Sequence, residues 1–255
     1  MDGSGNHRLK GKYAHRIFHL LVFLFTFHLA QAQETTSEFW PEIDVWYRLS
    51  PAWRLSMFLP LSRNLETKYR EGSLLFQGDY AWGRSRFLDN WRLLDENRAQ
   101  QMRVNLSRAG YLTAKSLGDN GEAYQENMAF FEEHYRTPLR GHLLISHRLR
   151  GDLRWIGDDD AFSYRIRYRF MLEREWVMKK VSLVPYVNIE PYYDSRYETI
   201  NRARYIGGAS VSWTPRIAIE GNFTYQHDTR SSVTDLYAVN IILHVFFQTK
   251  HANRG

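Results

Sequence analysis

The stretch Ser163-Tyr164-Arg165-Ile166-Arg167-Tyr168-Arg169-Phe170-Met171-Leu172-Glu173-Arg174 decides the fold. Tyr164, Ile166, Tyr168, Phe170 and Leu172 occupy the even positions. Ser163, Arg165, Arg167, Arg169, Met171 and Glu173 occupy the odd ones. Successive side chains of a strand leave on opposite faces, so one face here is apolar and the other heavily charged. A soluble sandwich buries such an apolar face in protein, whereas a transmembrane barrel turns it to lipid and encloses the charged face in a lumen. The rest of the chain points to the barrel.

Outward from that stretch, alternation recurs from Phe39 to Gln248 in segments long enough for a tilted membrane strand. Phe39, Ile43, Val45, Tyr47 and Leu49 share one face; Glu42, Asp44 and Arg48 share the other with Trp40 and Trp46. Ser50-Pro51 interrupts, because proline cannot donate to a ladder. Trp53, Leu55, Met57, Leu59 and Leu61 then oppose Arg54 and Ser56, and Leu74, Phe76, Tyr80 and Trp82 oppose Gln77 and Asp79. Met102, Val104 and Leu106 alternate with Arg103, Asn105 and Ser107, while Arg84 to Gln101 has no clean period and Tyr124 to Tyr135 suits a strand or a short helix. Leu143, Ile145, Leu149, Leu153 and Trp155 oppose Arg148, Arg150, Asp152 and Arg154. Further strands are expected near Val181–Tyr193, Arg202–Trp213, Ile217–Gln226 and Leu236–Gln248.

Connections alternate in length: Trp176–Lys180 and Thr214-Pro215 are short, Asp194–Asn201 and Asp228–Thr234 longer and polar. Outer-membrane barrels pair short periplasmic turns with longer outer loops. The segments number eleven, and because bacterial single-chain barrels have an even strand number, ten or twelve is expected. Interfacial aromatic girdles are a further expectation, with Trp40, Trp46, Trp82, Trp155, Trp176 and Trp213 placed near strand ends.

The N-terminus reads as a secretory signal, with a basic region at His7, Arg8, Lys10, Lys12 and Arg16 and an apolar region from Ile17 to Leu29. Ala30-Gln31-Ala32 supplies the small-x-small pattern for cleavage between Ala32 and Gln33. The expected organisation is a signal peptide over 1–32 and one domain over 33–255. Loss of the signal removes four Lys/Arg and one Asp, which halves the net charge of +6. No basic tract suggests nucleic-acid binding. Absence of cysteine excludes disulfides, thiolate metal sites and cysteine nucleophiles. Mean hydropathy is negative, as it is in barrels whose lumen residues dilute the lipid-facing ones.

Taken in order, several short motifs carry a resemblance. They are Trp46-Tyr47-Arg48-Leu49-Ser50, Glu96-Asn97-Arg98, Tyr164-Arg165-Ile166-Arg167-Tyr168-Arg169-Phe170, Pro185-Tyr186 before Glu190, Asn201-Arg202-Ala203-Arg204 and Tyr225-Gln226, with an aromatic final strand. From Phe39 to Phe247 the chain resembles the uncharacterised outer-membrane barrel family called domain of unknown function 2490. The resemblance implies a bacterial outer-membrane location, with membrane lipid and the barrel-assembly machinery as partners, and supplies no established activity. The chain departs from this kind of barrel in two places: Gln248 to Gly255 follow the aromatic Val245-Phe246-Phe247, and Asp89–Gln101 is long and irregular.

Candidate site residues follow from the faces. Arg165, Arg167 and Arg169 point the same way about 7 Å apart, with Arg148, Arg150, Arg154, Arg202 and Arg204 extending the wall. Glu42, Asp44, Glu173, Glu190 and Glu220 fall on lumen faces as their counter-charges. Two readings stand: a network that fills and stiffens a narrow barrel, or a path attracting anions or lipid headgroups, because arginine forks bind phosphate and carboxylate bidentately. Eight strands are just filled by side chains and open porins need about sixteen, which argues against a general porin.

Catalytic chemistry finds little footing. His142 and Ser146 on one strand face would stand roughly 13 Å apart, and His227-Asp228 adjoins a loop without a nucleophile. Glu132-Glu133-His134 and Asp158–Asp160 read as solvated loops rather than metal ligands, and Gly207-Gly208 as a bend or close packing. No cofactor or metal is expected. The expectation is thus an all-β, antiparallel up-and-down transmembrane barrel of about 10–12 strands, structural or permeation-related. Two rivals remain: a lipid-modifying enzyme with Ser, His and an acid clustered on one rim, and a soluble periplasmic barrel with apolar faces inward.

Overall fold

The computed structural model describes residues 35–84, 103–118, 124–157, 159–178, 181–214 and 216–248. Its strands in chain order begin with β1 (Thr35–Arg48), β2 (Trp53–Asn64), β3 (Arg70–Arg84), β4 (Arg103–Ser116), β5 (Gln125–Leu139) and β6 (Leu143–Ile156). They continue with β7 (Ala161–Arg174), β8 (Trp176–Met178), β9 (Val181–Asp194), β10 (Thr199–Thr214), β11 (Ile217–Asp228) and β12 (Asp235–Gln248). Among the described residues eleven of these close into a barrel, and the short β8 extends the sheet along β9. Of Tyr124–Tyr135, ambiguous by period, all but Tyr124 belong to the strand β5. The irregular 85–102 segment, the expected signal at 1–32 with Ala32 and Gln33, and residues 249–255 lie outside the described residues.

Sequential neighbours pair antiparallel, as alternation and short turns dictate, but the closing pair differs. β1 lies parallel to β12 from Thr35↔Asp235 to Arg48↔Gln248. Parity explains why: an odd number of alternating strands brings the first and last together pointing the same way. Eleven falls inside the expected range, whereas the even-number reasoning behind ten or twelve does not hold for this chain.

Polarity is inverted relative to a soluble protein. Ile43, Tyr47, Leu55, Leu149, Leu153, Ile166, Tyr168, Ile219, Val239 and Ile241 stand exposed on the outside. Arg54, Asp79, Arg108, Glu132, Arg150, Asp152, Glu190 and Glu220 are buried inside. The β7 alternation predicts this division and the strand obeys it: Ser163, Met171 and Glu173 are buried, and Tyr164, Ile166, Tyr168 and Phe170 are exposed. The reverse arrangement, required by a soluble barrel with an apolar interior, is not the one adopted.

Part of the lumen is nonetheless apolar. Leu75, Met128 and Phe130 cluster with Phe58 and Leu112 on the β2–β5 wall, and the Trp46 ring packs 4.8 Å from Phe58. Trp46 and Trp40 are therefore corrections to the expected girdle. Trp40 donates its Nε1 to Glu38 at 2.5 Å, and Trp46 lies 4.2 Å from the Arg54 guanidinium. Both share the inward face of β1 with Asp44, where each ring fills space and the Trp40 indole N–H finds a polar partner. Trp82 and Trp176 are exposed, and Trp155 packs at 5.8 Å against exposed Phe162. The Trp213 side chain lies outside the described residues.

Two inward glycines make room for this filling. A Cβ on Gly110 would meet the Phe130 ring at 2.5 Å and the Phe76 carbonyl at 2.6 Å; one on Gly208 would strike Asn222. The Gly207-Gly208 expectation of close packing thus applies at Gly208.

A candidate charged lumen path

Strand register assembles the charged residues. Arg48, Arg54, Asp79, Arg108, Glu132, Arg150, Arg167 and Tyr192 are successive cross-strand partners from β1 to β9. Arg202 and Asp228 continue the row on β10 and β11. Neighbours in one row stand close enough to interact, so a pattern read strand by strand becomes a ladder of ion pairs.

On the β2–β6 wall the ladder alternates in sign and its members pair. Asp79 accepts from Arg54 Nε at 2.7 Å and Arg108 Nε at 2.6 Å. Arg108 Nη1 also reaches Glu132 at 2.7 Å, and His134 Nε2 lies 2.9 Å from the same oxygen. Arg150 and Arg148 approach the other Glu132 oxygen at 3.5 and 3.8 Å. Arg150 Nε donates to Asp152 at 2.6 Å, and its guanidinium lies 3.7 Å from the Phe130 ring. Buried charges need such partners, because each guanidinium or carboxylate left alone has lost its hydration. Glu132 and His134, expected in a solvated loop, instead face the lumen from β5.

The β7–β10 wall is built differently. Arg165, Arg167, Arg202 and Arg204 have their guanidiniums 5.7, 5.4, 5.9 and 5.4 Å from one ring, that of buried Tyr192. Arg167 approaches Asp152 at 3.0 Å, Arg165 approaches Asp194 at 3.7 Å and Arg202 pairs with Asp228 at 2.7 Å. Glu190 pairs with Arg148 and accepts from the Tyr192 hydroxyl at 3.0 Å. Arg204 donates to the Gln226 amide oxygen at 2.6 Å, and its guanidinium lies 5.4 Å from the Trp40 ring.

Of the acids expected as counter-charges, Glu190 stands on the arginine wall as the cross-strand neighbour of Arg204. Asp152 and Asp194 take two of the arginines, and Glu42, Asp44 and Glu220 lie on the β1–β11 side. There His244 sits between Asp44 at 3.1 Å and Glu220 at 3.2 Å, and Tyr186 donates to Glu220 across Gly208. Arg169 and Glu173 face the lumen from β7, the latter buried. Arg54, Asp79, Arg108, Asp152, Tyr192, Asp194 and Asp228 are among the lumen residues not singled out as sites from sequence. Their signal was present in the alternation, but only register shows which partner each one meets.

At the rim beyond β9, Arg196 hydrogen-bonds Asp194 through Nε at 3.0 Å and Nη2 at 2.8 Å, which raises its pKa above the ordinary guanidinium value. Just before β5, burial and the neighbouring Glu126 carboxylate push the Tyr124 phenol up.

Among the described residues, the serine and histidines weighed for hydrolysis stand apart. His142 sits in the turn before β6 with φ of 59°, and Ser146 is buried in the strand, so the two do not share a strand face. His147 bonds the Tyr168 hydroxyl at 2.6 Å and His227 bonds Asp235 at 2.9 Å. Asp159 and Asp160 are exposed in the β6–β7 turn, and Asp158 lies outside the described residues. Among the described residues no group of three or more His, Cys, Asp or Glu side chains has the geometry to hold a metal ion.

A family model described as protein of unknown function (DUF2490) matches residues 37–237. No curated protein matches the chain.

Proposed function

For a chain that belongs to this family of proteins of unknown function, we propose a role as an outer-membrane barrel whose lumen admits small anions along an arginine wall and is otherwise filled. The observation that carries the reading is the inverted polarity: apolar side chains outside, ion pairs inside. Strands of 12 to 16 residues in the barrel exceed the 9–11 that a tilted strand needs to cross a bilayer. On this reading lipid covers the apolar exterior, and the barrel-assembly machinery inserts the exported chain.

Permeation rests on the contrast between walls. Alternating signs on β2–β6 stiffen the barrel, whereas β7–β10 gathers guanidiniums around Tyr192. Cations concentrated on one wall raise the local anion concentration. Eleven strands and the apolar Trp46–Phe130 side leave a narrow route rather than a porin channel.

Two linked measurements test the proposal. The precursor expressed in a Gram-negative host should fractionate with the outer membrane and migrate differently on a gel before and after heating. The purified barrel in planar bilayers should show a small conductance whose reversal potential favours chloride over potassium. Partition into the soluble periplasm would defeat the membrane reading, and an outer-membrane barrel without anion preference would leave a purely structural role.

A further inference from the structure

We propose that Arg165, Arg167, Arg202 and Arg204 form a binding site for a phosphoryl oxyanion, with Tyr192 as its floor. The inference rests on the lumen-path reading and adds a ligand class to it. Register places Arg167 and Arg202 on either side of Tyr192 in one cross-strand row, with Arg165 and Arg204 in the adjoining rows. All four guanidiniums stand 5.4 to 5.9 Å from the ring centre.

Of the four, Arg202 has an acid of its own in Asp228, and the acids near the other three are shared. Asp152 is shared by Arg150 and Arg167. Asp194 is shared by Arg154, Arg165 and Arg196. Glu190 already serves Arg148 and the Tyr192 hydroxyl. Arg204 donates to an amide oxygen, and its cross-strand neighbour Glu190 is the same carboxylate that Arg148 and Tyr192 engage. Crowded guanidiniums with too few counter-charges repel one another and have given up hydration, so an anion entering among them is stabilised. The side chains stay within reach: Arg165 and Arg167 are 12% exposed and Arg202 is 23% exposed.

The number of forks selects the ligand class. A carboxylate presents two oxygens and a single charge. A phosphoryl group presents three or more oxygens and up to about two charges, which suits forks converging from two strands. Trp40, 5.4 Å from the Arg204 guanidinium, borders the site on the lumen side. Inorganic phosphate and a phospholipid headgroup share this chemistry.

The test titrates inorganic phosphate into the full exported chain, purified and delipidated in neutral detergent, by calorimetry with chloride as the control. The expected dissociation constant is about 1 mM or tighter, and Arg204→Gln is expected to weaken it by about tenfold or more. Arg204→Lys keeps the charge, loses the fork and should fall between. Heat-modifiability on a gel certifies folding of each variant, and Arg202→Gln replaces Arg204→Gln if the latter fails that check. Native mass spectrometry of the barrel extracted from membranes separates the sources. A retained phospholipid that Arg204→Gln releases assigns the headgroup, and phosphate uptake by a lipid-free barrel assigns the soluble anion. A folded wild type that binds neither, or an Arg204→Gln barrel that binds as well as wild type, overturns the site. Phosphate binding in detergent without anion-selective conductance in bilayers would overturn permeation alone.

Discussion

Trp46 and Phe246 face each other across the parallel seam of β1 and β12, ring centroids 6.4 Å apart and planes inclined by 25°. The pair closes an odd-stranded barrel at the point where hairpin turns cannot help, since its two strands are the farthest apart in the chain. Trp46 also packs on Phe58 and the Arg54 guanidinium, so it ties the seam to the apolar and charged parts of the lumen.

Removal of that ring should loosen the seam. Trp46→Ala is expected to cost about 3–5 kcal/mol, as for large buried aromatics elsewhere, and Trp46→Phe less. Urea unfolding of the detergent-solubilised barrel measures both. A loss below about 1 kcal/mol would show that the seam does not depend on Trp46.

Glu132 is the second point of sensitivity. Its carboxylate meets Arg108, Arg148, Arg150 and His134 while fully buried. Glu132→Ala leaves those groups short of a counter-charge and should destabilise by about 3–5 kcal/mol. The same unfolding experiment, run beside a substitution of half-buried Glu133 on the opposite face of β5, separates a buried-charge effect from a general loss of acid.

The lipid-facing exterior makes a prediction of opposite character. Leu149, 56% exposed near the middle of β6, would touch only water in a soluble barrel, where Leu149→Arg changes stability by about 0.5 kcal/mol or less. Facing the bilayer midplane, the same change should cost about 2–4 kcal/mol. Refolding equilibria into phospholipid vesicles distinguish the two.

Glycines provide the last contrast. Gly110→Ala drives a Cβ into the Phe130 ring and the Phe76 carbonyl and should cost about 1–3 kcal/mol. Gly151→Ala meets nothing within 4 Å and should be tolerated. Equal effects at the two positions, read from paired melting curves, would contradict the packing around Gly110.

Alternation was legible because it is local, although on β4 the apolar Leu106 shares the buried face with Arg108 and the period alone does not say which face is the lumen. The Ser163–Arg174 strand displays it with few slips, and β2, β6 and β9 follow. Glu132 and His134 are masked in the sequence because three charged or polar residues in a row resemble a loop, whereas Met128 and Phe130 continue their face along β5. An abundance of tryptophan suggests an interfacial girdle, but the alternation of β1 puts Trp40 and Trp46 on the lumen face with Asp44.

The sequence by itself determined strand after strand of two-faced segments, a charged face and an apolar face, and with them a closed all-β architecture. Side-chain period is a property of one strand and needs no neighbour to be read. Only the tertiary structure decided the count of eleven, the parallel seam and the identity of every ion pair. Register between strands sets those, and it brings Arg54 to Asp79, Arg108 to Glu132 and four arginines to Tyr192 from positions far apart in the chain.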